Sequence, residues 1–80
     1  MTHKILRLPA VLATTGLSRS SIYLRISQGV FTRPVSLGAR AVGWPSDEVT
    51  TINAARIAGK SDAEISALVH ELQLARKSFL

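Results

Sequence analysis

Apolar residues along this chain follow a helical spacing, switch to alternation, and then return to a helical spacing. Lys4 to Leu8 reads as a short extended lead-in. Leu8, Val11 and Leu12 then share one face of a short helix. Pro9 suits its first position, where a missing N–H costs nothing. Gly16 ends that helix in the left-handed conformation glycine tolerates. Ser18 opens a second helix, its hydroxyl able to take a free N–H of the first turn. Ile22 and Ile26, four apart, mark the buried face, and Gly29 is the stop. Val35, Leu37, Val42 and Trp44 then alternate with polar or small residues around Gly38-Ala39-Arg40. That pattern predicts a β-hairpin with Arg40 near its tip.

Pro45 breaks the second strand of the hairpin. Ser46 is the expected cap of a third helix, with Asp47 and Glu48 in its electropositive first turn. Val49, Ile52, Ala55 and Ile57 are its expected apolar side, and Gly59 its end. Ser61-Asp62-Ala63-Glu64 forms a complete capping box for a fourth helix. Ile65, Leu68, Val69, Leu72, Ala75 and Phe79 recur along that helix at helical spacing.

Two short helices joined by Gly16-Leu17-Ser18 fit a helix-turn-helix, and the hairpin after them fits a wing. The expected fold is mainly α with a small β-hairpin. Residues 1–60 form the winged helix-turn-helix and residues 61–80 a C-terminal helix of the same domain. A chain of 80 residues builds a single, marginal core, so few side chains can be spared from packing. The sequence has no apolar run of about 18 residues, the length a membrane span needs. Its start lacks the apolar stretch of a signal peptide. With no cysteine there is neither a disulfide framework nor a thiolate metal site. These features lead us to expect a cytoplasmic, nucleoid-associated protein of a bacterial cell, with no membrane partner.

Charge sharpens the picture. Up to Ser46 the chain carries Lys4, Arg7, Arg19, Arg25, Arg33 and Arg40 and no acid at all; beyond it, four bases face five acids. An acid-free basic half is what a phosphate backbone selects. On the second helix Ser20, Tyr23, Leu24 and Ser27 point away from the Ile22–Ile26 face. Arg19 and Arg25 flank that face and can swing toward a DNA backbone. The expected DNA-contacting set is Ser18, Arg19, Ser20, Ser21, Tyr23 and Arg25 on this helix, with Arg33 and Arg40 on the wing. Arginine can hold guanine through two bonds in the major groove, and a narrow minor groove attracts it. Trp44, in register with Val42, reads as core. No nucleophile motif, phosphate loop or metal-spaced histidine pair points to catalysis; His3 and His70 stand alone. No cofactor is expected.

Three stretches together resemble the AlpA family of prophage regulatory proteins. They are Leu6-Arg7-Leu8-Pro9-Ala10-Val11-Leu12, Gly16-Leu17-Ser18-Arg19-Ser20-Ser21-Ile22-Tyr23, and Pro34-Val35-Ser36-Leu37-Gly38-Ala39-Arg40-Ala41-Val42-Gly43-Trp44-Pro45. The resemblance covers roughly residues 5 to 60. It implies a MerR-like or excisionase-like winged fold and a bacterial or phage regulator that binds DNA near promoters or attachment sites. The chain departs from relatives at Thr32, often proline, at Ile52, often tryptophan, and at Leu24, often arginine or alanine.

Three functions remain open at this point: a sequence-specific transcription regulator, an excisionase that bends attachment-site DNA, and a protein-interaction module acting through the last helix. Double-stranded DNA is the expected partner, with an integrase or RNA polymerase as protein candidates. Ile65, Leu68, Val69, Leu72, Ala75 and Phe79 step by three and four as a coiled-coil seam does, which predicts a homodimer.

Overall fold

A computed structural model describes residues 4–79, with Phe79 described by its backbone alone. Strand β1 (Ile5–Leu6) leads into α1 (Leu8–Thr15) and α2 (Arg19–Ser27). Strands β2 (Val35–Gly38) and β3 (Ala41–Pro45) follow, then α3 (Ser46–Ile57) and α4 (Asp62–Ala75), closed by a 3-10 turn over Arg76–Phe79. This is a mainly helical fold with a small antiparallel sheet, compatible with a winged helix. Among the described residues no helix is long and apolar enough to cross a membrane.

The lead-in does more than lead in. It is the third strand of the sheet, whose order is β1-β3-β2. Ile5 pairs with Pro45 and Leu6 with Trp44 across the first ladder. Across the second, Val35 pairs with Gly43 and Ser36 with Val42. Paired residues share a face and neighbours alternate, so Val35 and Leu37 lie opposite Val42 and Trp44. Trp44 is fully buried, whereas Leu37 is exposed. Gly43 sits where a side chain cannot: a Cβ there would run into Ile5 and press on the Leu6 carbonyl and Leu37.

One cluster forms the core. Val11 comes from α1, Ile22 from α2, Val30 and Phe31 from the following loop, and Trp44 from β3. Val49 and Ile52 of α3 and Ile65 and Val69 of α4 complete it. The indole N–H of Trp44 donates to the Thr32 carbonyl at 2.9 Å, so the largest core side chain leaves no polar atom unpaired. Thr32 is itself buried, and its hydroxyl has no partner among the described residues.

Three local expectations shift. Arg7 occupies the cap position of α1, which puts Pro9 one residue inside the helix. Ser46 does not cap α3 but is its first residue; Pro45 stands in the cap position without a side-chain bond. The Ser46 N–H donates to the Lys4 carbonyl at 2.8 Å, which extends the β1–β3 ladder up to the start of the helix. Ile57, expected on the apolar side of α3, is 83% exposed, because the helix ends there and leaves the core behind.

The capping box of α4 forms as expected. The Ser61 hydroxyl accepts from the Glu64 N–H, and Glu64 accepts from the Ser61 N–H at 3.0 Å. That backbone bond, the Ser61 hydroxyl and nearby Lys60 hold the Glu64 carboxyl below the usual glutamate range. Of the residues expected to form a seam between copies, Ile65 and Val69 instead point into this chain's own core and Leu72 packs on it. Leu68 is half-buried and Ala75 exposed; the Phe79 side chain lies outside the described residues. A homodimer through α4 would therefore have to use Leu68, Ala75 and the exposed Leu74.

Candidate nucleic-acid interface

The turn before α2 is fixed by short-range chemistry. Gly16 adopts φ 73°, and its N–H donates to the Leu12 carbonyl. From α3, the Asn53 amide donates to the Thr14 carbonyl at 3.0 Å and ties the end of α1 down. Ser18 then caps α2, its hydroxyl accepting from the Ser21 N–H at 3.2 Å. The same hydroxyl donates to that of Ser21 and lies within hydrogen-bond distance of that of Ser20. These three serines sit at the electropositive start of the helix, where free N–H groups favour a phosphate.

Helix α2 presents two different flanks. With Ile22 fully buried and about 100° per residue, Arg19, Tyr23 and Ser27 turn to one side and Ser21, Arg25 and Gln28 to the other. On the first side Arg19 lies 5.9 Å from the centre of the Tyr23 ring. Tyr23 in turn meets Trp44 edge to face at 6.3 Å. The exposed arginine is thus stacked on an aromatic anchored to β3, which limits where its guanidinium can go. Ser20 and Leu24 are exposed between the flanks, Leu24 at 57%. Arg25 is set apart from Arg19: it is half-buried and lines a cleft with Arg56 of α3.

The wing carries Arg40 exposed in its turn, at φ 61°. A residue with a Cβ costs about 1–2 kcal/mol in that left-handed region, which is where glycine would ordinarily stand. At the root of the wing Arg33 is exposed but its backbone is held on both sides. Its N–H donates to the Gln73 side chain at 2.9 Å, and its carbonyl accepts from Arg76 at 2.7 Å. Arg76 also grips Glu48 with two bonds, Nε to Oε2 at 2.8 Å and Nη2 to Oε1 at 2.6 Å. Glu48, expected to be a helix-start charge, is only 2% exposed and serves as the anchor of this latch.

Electrostatics separates the two halves of the molecule. Arg56 pairs with Asp62 at 2.8 Å, Lys60 with Glu64 at 3.9 Å and Arg76 with Glu48 at 2.6 Å. Among the described residues every ion pair lies between residues 48 and 76. Lys4, Arg7, Arg19, Arg25, Arg33 and Arg40 have no carboxylate partner there. Sequence reasoning missed Asn53, Arg56, Gln73 and Arg76. Arg76 stands 28 positions from Glu48, and no local pattern announces such a pair. His70 is exposed on α4, and His3 lies outside the described residues.

A wing, a capped helix and a row of unpaired cations invite comparison with known proteins. The family model described as "Prophage CP4-57 regulatory protein (AlpA)" matches residues 4–57. The chain belongs to this family. It is also similar to "Uncharacterized protein ORF88" of Enterobacteria phage P4, 49% identical over 58 residues. That match covers 72% of this chain and 66% of the phage protein, just under two thirds of its length. No solved structure matches the chain. The AlpA match ends at Ile57, so Gln73 and Arg76, which hold the wing root, come from beyond the matched segment.

Proposed function

We propose that this AlpA-family regulator is a sequence-specific DNA-binding transcription regulator of prophage or mobile-element genes. The observation that carries the reading is the set of six cations before Ser46 with no carboxylate partner among the described residues. Cations left without intramolecular partners are what release counterions from a phosphate backbone. The roles divide by position. Ser18 and the start of α2 hold a phosphate. Arg19, Ser20 and Tyr23 address base edges in the major groove, and Ser21 supports the cap. Arg33 and Arg40 engage phosphate or the minor groove through the wing. Arg25 faces away from this group, toward α3.

Two measurements test this. The log–log dependence of duplex affinity on salt should have a slope of roughly −4 to −5, the value for four to six neutralised phosphates. A slope near zero would overturn the proposal. Footprinting on prophage DNA should then protect a discrete site over a promoter. Several direct repeats at an attachment site, with bending, would replace transcription regulation by excision.

A further inference from the structure

We propose that the cleft between α1, α2 and α3 docks an acidic segment of a partner protein, one with a bulky apolar side chain beside a carboxylate. The cleft encloses about 170 Å³ over a floor of Leu17, Val30, Phe31 and Ile52. Small-molecule sites run to about 300–1,000 Å³, so this one has the size of a pocket for a single anchoring side chain. Arg25 and Arg56 stand at its rim and also line the polar depression beside it, together with Ser21, Gln28 and Asp62.

The charges at the rim do not balance. Arg56 gives one Nη to Asp62 at 2.8 Å, while its buried Nε has no partner. The Arg25 side chain makes no hydrogen bond or ion pair among the described residues. Two guanidinium groups therefore share one carboxylate at the mouth of an apolar pocket, and a second carboxylate would complete the set. An anion alone would leave the floor unused, and an apolar side chain alone would leave Arg25 unmatched. A residue that offers both uses the whole cleft.

Its position adds to the argument. Arg25 lies on the flank of α2 opposite Arg19 and Tyr23. A partner in the cleft would sit beside bound DNA without displacing the wing or the exposed flank. The inference goes beyond the DNA-binding reading and does not depend on it.

The experiment titrates the full ¹⁵N-labelled chain with N-acetyl-phenylalanine and, separately, with its uncharged amide. Saturable shifts are expected at Leu17, Phe31 and Ile52, with the acid binding about tenfold more tightly than the amide. Arg25→Gln should erase that preference while leaving the melting temperature unchanged. Ile52→Trp, which fills the floor, should abolish binding of both probes in a protein shown to be folded by circular dichroism. Equal binding of acid and amide would overturn the proposal. So would the absence of saturable shifts, or shifts confined to the arginines and reproduced by sodium phosphate. If the parent protein binds no duplex but keeps its preference for the acid, the DNA reading falls and this one stands.

Discussion

Charge is handled differently on the two sides of Pro45. Before it, the chain carries six cations and no acid, and none of those cations has a carboxylate partner among the described residues. After it, α3, α4 and the closing turn hold three ion pairs, one of them around a buried carboxylate. The first part leaves its cations unpaired; the second closes its own charges and fastens the root of the wing. The two meet at Arg33, whose side chain belongs to the basic surface while its backbone is fastened by Gln73 and Arg76. A surface that must leave its charges unpaired gains little rigidity from them, so the rigidity comes from elsewhere in the chain.

The strongest way to break this division is Arg76→Ala. It strands the buried Glu48 carboxylate and should cost about 3 kcal/mol. In a domain of this size that is a large share of total stability and lowers the melting temperature by about 15 °C. Replacing both partners, with Glu48→Leu and Arg76→Met, should recover most of the loss, as for other buried pairs. Calorimetry on the parent and the two variants decides; an Arg76→Ala protein as stable as the parent would show that the latch holds nothing.

Arg19→Ala tests the presenting half. It should weaken specific binding by about 1–3 kcal/mol while affecting random duplex less. Stability should change by only about 0.5 kcal/mol, the worth of an exposed stacked cation. Equal loss on both duplexes would remove Arg19 from base reading.

Arg40→Gly sets the two halves of the comparison against each other in one residue. Relief of the left-handed backbone should raise stability by about 1 kcal/mol. Loss of the cation should weaken binding to every duplex and make the salt slope shallower by about 0.9. A melt and a salt titration on the same sample read both effects; a loss of stability, or an unchanged salt slope, would refute the assignment.

The smallest effect lies wholly in the holding half. The Glu64 carboxyl titrates lower in the folded chain than in the unfolded one. Its contribution is therefore fully present above the unfolded value and disappears as pH falls through the folded value. Glu64→Gln should flatten that part of the acid limb of a melting-temperature profile, and an unchanged limb would contradict it.

Much of this was legible wherever local chemistry decides structure. Gly16 and Ser18 announce the turn and the cap of α2, and Ser61 and Glu64 announce α4. Alternation announced the hairpin but not which face each strand turns to the core. That depends on register, which is irregular between Ser36 and Gly38. Helical spacing placed Arg19 and Arg25 symmetrically about the buried face of α2. The difference between them comes from what packs alongside, Tyr23 and Trp44 on one side and Arg56 on the other. The apolar repeat of α4 looked like a seam for a second copy. The same repeat serves a small core short of side chains, and Ile65 and Val69 are spent there.

The Arg76 latch also has a place in the order in which the fold can close during synthesis. A chain emerges from the ribosome from its N-terminus onward. Ser18, Arg19, Tyr23, Arg33 and Arg40 are all in place long before Arg76 is added. Until then Glu48 has no guanidinium to meet, and Ile65 and Val69 have not closed the core. The nascent chain carries its basic groups on an unfinished scaffold, open to chaperones and proteases. The scaffold under those groups closes only once Arg76 can reach Glu48 and Arg33.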